Sequence, residues 1–375
     1  MKKLIWTLVI LVVVGVFGGR AWYLHKQAEQ NKDAVKVGVV LSLTGNNSFI
    51  GELSRNALLL AEEEINNSGR YPFKVSLQIE DSKSTSKDSI TAYQRLKASG
   101  IDLMIVSSDL SALAIGPLAR NQNVLILADA SGKDVNQSSD MVINFMVPSE
   151  IPAEKVGYFG TKVLGLKTFG LIEQKERATQ TMGNAFERVV KENGGELLAT
   201  EFFPMDAQDT KAIVLKVLNK NPQAVAVFGW GPGYTNTLNT LRELGYKGEI
   251  LTEYSVVSQQ VNLANNGEGI VFADTIFGHD SSDATVKQFL TNYKKKFGDK
   301  TQPDIFAAQV YESLNILADS IQGTNYTPQA VYNRILEIKN RPSIIGTINF
   351  KDRFIDYPFY MKQFQADGTA KVVKE

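Results

Sequence analysis

Short apolar runs alternate with amphipathic helical patterns along the first third of the chain. The pattern predicts strands at 35–43, 73–80, 101–106 and 124–127, and helices at 51–66, 87–98 and 111–121. The first helix, for example, places Leu58, Ala61 and Ile65 on one face. Short apolar strands separated by amphipathic helices are typical of βαβ units, so the pattern predicts a parallel sheet covered by helices.

The same alternation restarts after Pro148 and then changes near the C-terminus. Helices are predicted at 150–164, 178–193, 208–219 and 234–244, and strands at 168–172, 196–203, 224–228, 249–252 and 270–273. Three successive helices follow, at 284–297, 304–321 and 327–338, and then two strand-like runs at 344–350 and 358–364. Helices without intervening strands cannot extend a parallel sheet. We therefore expect them to pack on the first half, with the last strands returning to the second.

The N-terminus has the layout of an export signal. Lys2 and Lys3 precede an apolar run at 4–19 that contains no charged residue. One alternative is a cleaved signal peptide, with Ala21 among the small residues before the cut. The other is an uncleaved anchor over 4–24, which we favour because no clean Ala-x-Ala site is present and this stretch can cross a bilayer. Both alternatives export the rest of the chain.

Length, charge and residue composition exclude several classes of function. A chain of 375 residues corresponds to about two domains. The 40 basic residues equal the 40 acidic ones, which argues against a dedicated nucleic-acid binder. With no cysteine and only two histidines, the sequence predicts neither a thiol nucleophile nor a zinc site. No catalytic motif is found, so we expect no catalytic residues, no metal and no cofactor.

Ligands of open parallel sheets bind beyond the carboxyl ends of the strands. The predicted strand ends lie at 42–44, 80–81, 107–109 and 129–132 in the first half, and at 173–174, 229–234 and 252–255 in the second. Several of these segments are rich in hydroxyl groups, carboxyl groups and glycine. The sequence therefore predicts a site for a small polar ligand.

Two first-half segments are candidates for holding a carboxylate. Ser108, Asp109 and Ser111 precede a helix, where free N–H groups and hydroxyls can bind an anion, although the same residues also serve as helix caps. The second segment follows a buried strand, and its backbone and Ser131 could bind the same ligand or simply form a turn. That segment consists of Asp129, Ala130, Ser131 and Gly132.

The second half offers two further candidates. Trp230 lies in a glycine-rich segment, 229–234, that lacks the spacing of a phosphate loop. Its indole could form the wall of a cleft or could pack in the core. Glu253 follows a strand and could pair with an ammonium group, the alternative being an exposed surface glutamate.

These segments resemble the branched-chain amino-acid-binding family of type I periplasmic binding proteins, which serve ABC transporters. The resemblance extends over about 36–365 and rests on the order and spacing of several motifs. The motifs are Lys36-Val37-Gly38-Val39-Val40 to Leu43-Thr44-Gly45, Ile50-Gly51, Glu64-Ile65-Asn66, Glu80-Asp81-Ser82, and Ile305-Phe306-Ala307-Ala308 through Tyr311 to Leu314.

The resemblance implies two doubly wound parallel-sheet lobes joined by three crossovers, which close on a ligand, behind an N-terminal hydrophobic helix (1–24) and a linker (25–35). By alignment, the first lobe comprises 36–149 and 278–341, and the second comprises 150–277 and 342–375. The ligand carboxylate would lie at Ser108 or Asp109 and at Ala130 to Gly132. The acid that holds the ligand ammonium falls at Tyr254 or Glu253.

Departures from the family pattern concern the ligand. Positions at which relatives often carry tyrosine fall on Met182 and Trp230, Gly132 replaces a threonine, and Asp129 replaces a proline. Leucine can therefore not be assumed, and another amino acid, an amide or a small organic acid remains open.

The resemblance implies an exported solute-binding protein, not an enzyme, that delivers an amino acid or a related carboxylate or amide to an ABC transporter permease. Its expected place is the periplasmic or cell-surface side of the cytoplasmic membrane. The alternative function is a membrane-anchored ligand-sensing module of a signalling complex.

Overall fold

Two α/β lobes, each built on its own sheet, form the described part of the chain. A computed structural model describes residues 34–258, 262–263, 266–278 and 281–373. The predicted signal or anchor at 1–24, and nearly all of the linker at 25–35, lie outside these residues. Within the described ranges, no helix is both long enough and apolar enough to cross a bilayer.

The strands and helices follow the predicted alternation. In chain order, the strands are β1 Ala34–Leu41, β2 Lys74–Asp81, β3 Leu103–Ser107, β4 Leu125–Asp129, β5 Val142–Asn144, β6 Thr168–Gln174, β7 Glu196–Phe203, β8 Ala224–Phe228, β9 Glu249–Glu253, β10 Val271–Asp274, β11 Arg341–Ser343, β12 Gly346–Lys351, β13 Phe354–Asp356, β14 Tyr360–Phe364 and β15 Ala370–Val372. The helices are α1 Ser48–Asn67, α2 Ser86–Ala98, α3 Asp109–Arg120, α4 Lys133–Ser138, α5 Glu150–Tyr158, α6 Arg177–Glu192, α7 Lys211–Leu218, α8 Gly231–Glu243, α9 Ala284–Phe297, α10 Ile305–Ile321 and α11 Pro328–Leu336.

The first lobe contains a mixed sheet with the order β11-β12-β13-β5-β4-β3-β1-β2. The six strands from β13 to β2 are parallel, while β11 and β12 add an antiparallel edge. Strands β3 and β4 are buried along their whole length, as the continuous apolar pattern predicts. Helices α9, α10 and α11 pack on this lobe, which confirms the expected return of the C-terminal helices.

The second lobe contains a sheet with the order β15-β14-β10-β9-β8-β6-β7. Its five central and outer strands from β10 to β7 are parallel, and β14 pairs antiparallel with both β10 and β15. Helix α5 continues into a short π-helix, Phe159–Val163. The two sheets together confirm the predicted fold class of two doubly wound lobes.

The chain passes between the lobes three times, but the last crossing lies later than predicted. It leaves the first sheet after β5, returns between β10 and α9, and crosses again between β13 and β14. The expected second-lobe segment 342–375 is therefore wrong up to residue 356. Strands β12 and β13 stay in the first sheet because β13 pairs with β5, where the Asn144 N–H donates to the Arg353 carbonyl at 2.8 Å.

A partly buried ion network fastens the edge strand β11 to α10. The Arg341 guanidinium donates to Glu312 Oε2 at 2.8 Å and to Asp319 Oδ2 at 3.0 and 3.1 Å. Glu312 Oε1 also accepts the Ile344 N–H at 2.9 Å. Burial raises the pKa of Glu312, and the Arg341 charge opposes this rise. Arg341 therefore balances a carboxylate that the fold places away from water.

Replacing Arg341 with methionine should destabilise the first lobe. Arg341→Met leaves Glu312 buried without its counter-charge, so we expect the free energy of unfolding to fall by about 3 kcal/mol. Arg334→Met removes an exposed arginine from α11 and serves as the matched control. Urea unfolding of both variants measures the effect. Equal stability of the Arg341 variant and its control would show that the network contributes nothing.

Candidate functional site

A cavity of about 320 Å³ lies between the lobes, at the carboxyl ends of strands from both sheets. This volume is at the lower end of the range found for small-molecule pockets. Of the residues predicted from the sequence, the first-lobe wall contains Ser108, Asp109, Asp129 and Ser131. The second-lobe wall contains Met182, Trp230 and Tyr254. Strand ends that are far apart in the sequence therefore meet around one enclosed space.

Part of the segment from Ser108 to Ser111 serves as the N-terminal cap of α3. The Ser108 hydroxyl accepts the Ser111 N–H at 3.3 Å and so caps α3. Ser111 itself is fully buried, with its hydroxyl 2.9 Å from that of Ser89, and it does not line the cavity. Ser108 does line the cavity, and its φ of 83° is a strained value for a residue other than glycine. Of these two serines, only Ser108 is thus placed to reach a ligand.

The Asp109 carboxylate occupies the backbone donors at which a ligand carboxylate was expected. Asp109 Oδ1 accepts the Ser131 N–H at 2.8 Å and the Gly132 N–H at 3.3 Å. Its other oxygen accepts from Arg177 at 2.7 Å. Burial raises the pKa of Asp109, while these N–H groups and the Arg177 charge oppose the rise. In this arrangement the protein supplies its own anion at the end of β4.

Asp129 lines the same wall and is almost completely buried, with 4% of its surface exposed. Its Oδ1 has no hydrogen-bond partner among the described residues, and Oδ2 accepts only a long contact from the Ser107 hydroxyl, at 3.5 Å. Burial, followed by the negative charge of Asp304, raises the pKa of Asp129 to about 8. The next residue, Ala130, is packed in the first-lobe core and does not line the cavity.

Glu253 lies beneath the second-lobe wall and does not line the cavity. It is fully buried, so the alternative of an exposed surface glutamate is wrong. One carboxylate oxygen accepts the Ser255 N–H at 3.0 Å, and the other has no partner among the described residues. Burial raises the pKa of Glu253 to about 7. Of the two adjacent candidates it is Tyr254, and not Glu253, that lies at the cavity.

Aromatic rings and methionines cover much of the cavity surface. The Tyr254 ring contacts Phe306 of the first lobe edge-on, with ring centroids 6.0 Å apart. Trp230 is partly exposed, and its backbone N–H donates to Gln174 Oε1 at 3.0 Å. Met182 lies on the same wall. These side chains offer an apolar, polarisable surface to a ligand.

The glycine-rich loop after β8 shapes this wall by packing closely. A Cβ on Gly233 would lie 2.3 Å from the Pro204 carbonyl oxygen, and the Gly233 N–H donates to the Met205 carbonyl at 2.7 Å. Gly231 adopts a φ of 74°, which favours glycine. The loop therefore holds Trp230 and Met205 beside each other at the cavity, and it does not form a phosphate-binding turn.

Sequence reasoning missed several residues of the wall. Asn46 and Asn47 follow β1, Glu176 and Met205 follow β6 and β7, and Phe306 lies in the first turn of α10. Phe306 belongs to the Phe-Ala-Ala stretch that carried the family resemblance, so a signal for its position was present. The others lie a few residues beyond the predicted strand ends, in loops whose path the periodicity does not define.

Ion pairs join the lobes at the mouth of the cavity. Arg177, the first residue of α6 in the second lobe, contacts Asp109 at 2.7 Å and Asp134 at 2.5 Å, and both acids belong to the first lobe. Lys133 of the first lobe pairs with Glu150 of the second at 3.0 Å. Together these contacts stabilise a closed arrangement of the two lobes.

The charged side chains on the cavity wall are acidic. Asp109, Asp129 and Glu176 line the wall, and none of the described lining residues is lysine, arginine or histidine. Nor do the described ranges contain a group of histidine and acidic side chains that could hold a metal ion.

Comparison with known families and structures agrees with this architecture. The sequence pattern of a family described as "periplasmic binding protein" matches residues 34–369. A leucine-binding protein from Thermotoga maritima has 21% sequence identity and a TM-score of 0.78, with 91% of this chain and 98% of that chain covered.

Two further structures contain bound ligands. A branched-chain amino-acid transporter substrate-binding protein from Streptococcus pneumoniae, in complex with isoleucine, has 20% identity and a TM-score of 0.79, covering 91% of this chain and 100% of that one. A solute-binding protein of an ABC transporter from Rhodopseudomonas palustris, in complex with 3,4-dihydroxybenzoic acid, has 18% identity and a TM-score of 0.81 over 91% and 96% of the two chains. Relatives of this fold thus bind chemically different solutes.

Replacing Arg177 should open the mouth of the cavity. Arg177→Met removes both of its contacts across the cleft. Because the pairs are partly exposed, we expect a loss of about 1 kcal/mol of closure free energy, or about a fivefold rise in the ratio of open to closed protein.

Small-angle X-ray scattering should then report a larger radius of gyration for this variant. Arg188→Met is the matched control, because among the described residues Arg188 pairs with Glu154 and Glu192, both of its own lobe. An unchanged radius for Arg177→Met, or an equal increase for the control, would contradict the role of Arg177 in closure.

Proposed function

We propose that the chain, which belongs to the periplasmic binding protein family, captures a small polar organic ligand between its lobes and delivers it to the permease of an ABC transporter. As a solute-binding protein it is not an enzyme, and family membership implies an exported location. The family resemblance by itself suggests an amino acid or a related amide or carboxylate, and the polar groups of the cavity give a second, independent criterion for the ligand class.

The main observation that supports this proposal is a cavity that is lined by residues of both lobes. Ser108 and Asp129 lie on one side, and Trp230 and Tyr254 lie on the other. Three crossovers connect the lobes, which is the arrangement in which domain closure encloses a ligand. Such closure would remove a bound solute from water and would present the permease with a distinct closed form.

The lining supports a ligand with an apolar body and a few polar groups. Aromatic and methionine side chains cover the second-lobe wall, while the polar atoms gather at the ends of β3 and β4. Neighbouring structures contain isoleucine and 3,4-dihydroxybenzoic acid, molecules of this general size and character. The cavity of about 320 Å³ is consistent with such a ligand.

The proposal includes attachment to the cytoplasmic membrane through residues 4–24. The support is the sequence itself, in which a lysine pair precedes an uninterrupted apolar run and Trp22 and Tyr23 follow it. An anchored receptor would stay near its permease after releasing the solute.

Removing the Trp230 ring should weaken ligand binding without unfolding the protein. A thermal-shift screen of amino acids, amides, amines and small carboxylates identifies the compound that stabilises the full-length protein most. For that compound we expect Trp230→Ala to raise the dissociation constant at least about tenfold, equivalent to about 1.4 kcal/mol. Titration calorimetry measures the change.

The control is Tyr158→Ala, which removes an exposed aromatic ring of the second lobe that does not line the cavity. Its affinity should equal that of the unmodified protein. If Trp230→Ala binds the compound as tightly as the control does, the ligand does not lie in this cleft.

A further inference from the structure

The polar groups of the cavity select the charge of the ligand. We propose that the ligand is an organic cation without a free carboxylate, and that its positive group lies against Asp129. This inference rests on the proposed capture of a solute in the same cleft, and it replaces the amino acids and carboxylates that the family resemblance suggests with a cation.

Four backbone donors at or beside the first-lobe wall are already bonded within the protein. The Ser131 and Gly132 N–H groups donate to Asp109, and the Ser108 N–H donates to the Asp129 carbonyl at 2.9 Å. At the start of α3, the Ser111 N–H donates to the Ser108 hydroxyl. A ligand carboxylate would have to displace Asp109 to reach donors at the end of β4. An anion would therefore find these four donors occupied.

The charge around the cavity also opposes an anion. Asp109, Asp129 and Glu176 line the wall, whereas no basic side chain does among the described residues. Arg177 lies at the mouth, but its guanidinium already contacts two carboxylates, those of Asp109 and Asp134. A carboxylate entering this site would face the carboxyl groups of Asp109 and Glu176 and would gain no basic partner among the described lining residues.

Asp129 lacks the partner that a cation would supply. Its Oδ1 is unpaired among the described residues, and only 4% of the residue's surface is exposed. A buried carboxylate without a counter-charge is unfavourable. An ammonium or amidinium group in the cavity would provide both the charge and the hydrogen bond.

Aromatic rings near Asp129 add to the preference for a cation. Tyr254 and Phe306 contact each other across the cleft, and Trp230 lies on the same cavity. Ring faces attract cations, by about 2 kcal/mol when the cation is dehydrated. The same rings offer no such attraction to a carboxylate.

Binding of a cation should depend on pH in a defined direction. The groups near Asp129 are the carboxyl groups of Asp109 and Asp304 and the phenols of Tyr254 and Tyr357, together with the Ser107 hydroxyl. Burial and the Asp304 charge raise the pKa of Asp129 to about 8, so the empty site is protonated at neutral pH. A cation binds the ionised form and releases this proton. Its affinity should rise about tenfold per pH unit up to pH 8 and then level off.

Titration calorimetry with charge-matched probes tests the assignment on the full-length protein. Benzamidinium, benzamide and benzoate share one shape and differ in charge, and 3-methylbutylammonium and 3-methylbutanoate form an aliphatic pair. Each cation should bind at least about tenfold more tightly than its anion. The benzamidinium affinity should follow the stated pH dependence between pH 6 and 9, over which the probe stays charged.

Asp129→Asn should abolish the preference for the cation and its pH dependence, while Asp140→Asn, which removes an exposed acid from the same lobe, should change neither. Thermal unfolding of the ligand-free variants shows whether each remains folded. A folded Asp129→Asn variant that keeps its cation affinity would overturn the inference. So would equal or tighter binding of the anions.

The outcomes also separate this inference from the proposed function. Anion binding that is lost in Trp230→Ala overturns the choice of a cation and leaves ligand capture in the cleft intact. Cation binding that Trp230→Ala and Asp129→Asn both leave unchanged places the ligand elsewhere and contradicts both. If none of the probes gives a binding heat at millimolar concentration, the proposal of a cationic ligand is contradicted.

Discussion

Parallel strands place all their carboxyl ends at one edge of a sheet, and this constraint determines where the polar residues of the protein can meet. Each lobe has one such edge. Because the chain crosses between the sheets three times, the two edges face each other across the cavity that contains Ser108 and Trp230. Ser108 and Tyr254, which are far apart in the sequence, thereby line the same cavity. The function of the molecule follows from this geometry more than from any single motif.

Asp109 lines the cavity wall and forms an ion pair between the lobes at the mouth of the cavity. In our proposal it also influences which ligand binds. Its carboxylate accepts two backbone N–H groups at the end of β4 and pairs with Arg177 of the opposite lobe. The same side chain thus stabilises closure and occupies the donors that an amino-acid carboxylate would need. In our proposal the acid of this wall that meets the ligand is Asp129, which lies opposite a surface of aromatic and methionine side chains. In our proposal, closure and the choice of ligand are coupled through the ion pair of Asp109 and Arg177.

Much of this architecture could be predicted from the sequence, because periodicity and burial are local signals. Strands 196–203 and 224–228 and helix 284–297 were predicted with the bounds that the structure has. The strand ends likewise indicated where the cavity lies. The short strands β5 and β13 were missed, since three residues carry too little pattern to be recognised. For that reason the last crossing was placed too early.

The details of the site depended on contacts that the sequence does not encode locally. Strand β9 continues to Glu253, one residue beyond the predicted end. Glu253 is buried, and the next residue, Tyr254, lines the cavity. Pairing of Asp109 with the backbone of Ser131 joins residues 22 positions apart. Neither result follows from composition or spacing. Both follow from how the ends of β3, β4 and β9 pack against their neighbours.

Hydrogen exchange measured by mass spectrometry tests most directly whether a ligand binds between the lobes. The measurement compares the full-length protein alone with the protein saturated by the compound that stabilises it most in a screen of small solutes. We expect slower exchange in the loops after β3 and β4 of the first lobe and in the loops after β8 and β9 of the second. Protection confined to one lobe, or located away from these strand ends, would contradict this expectation.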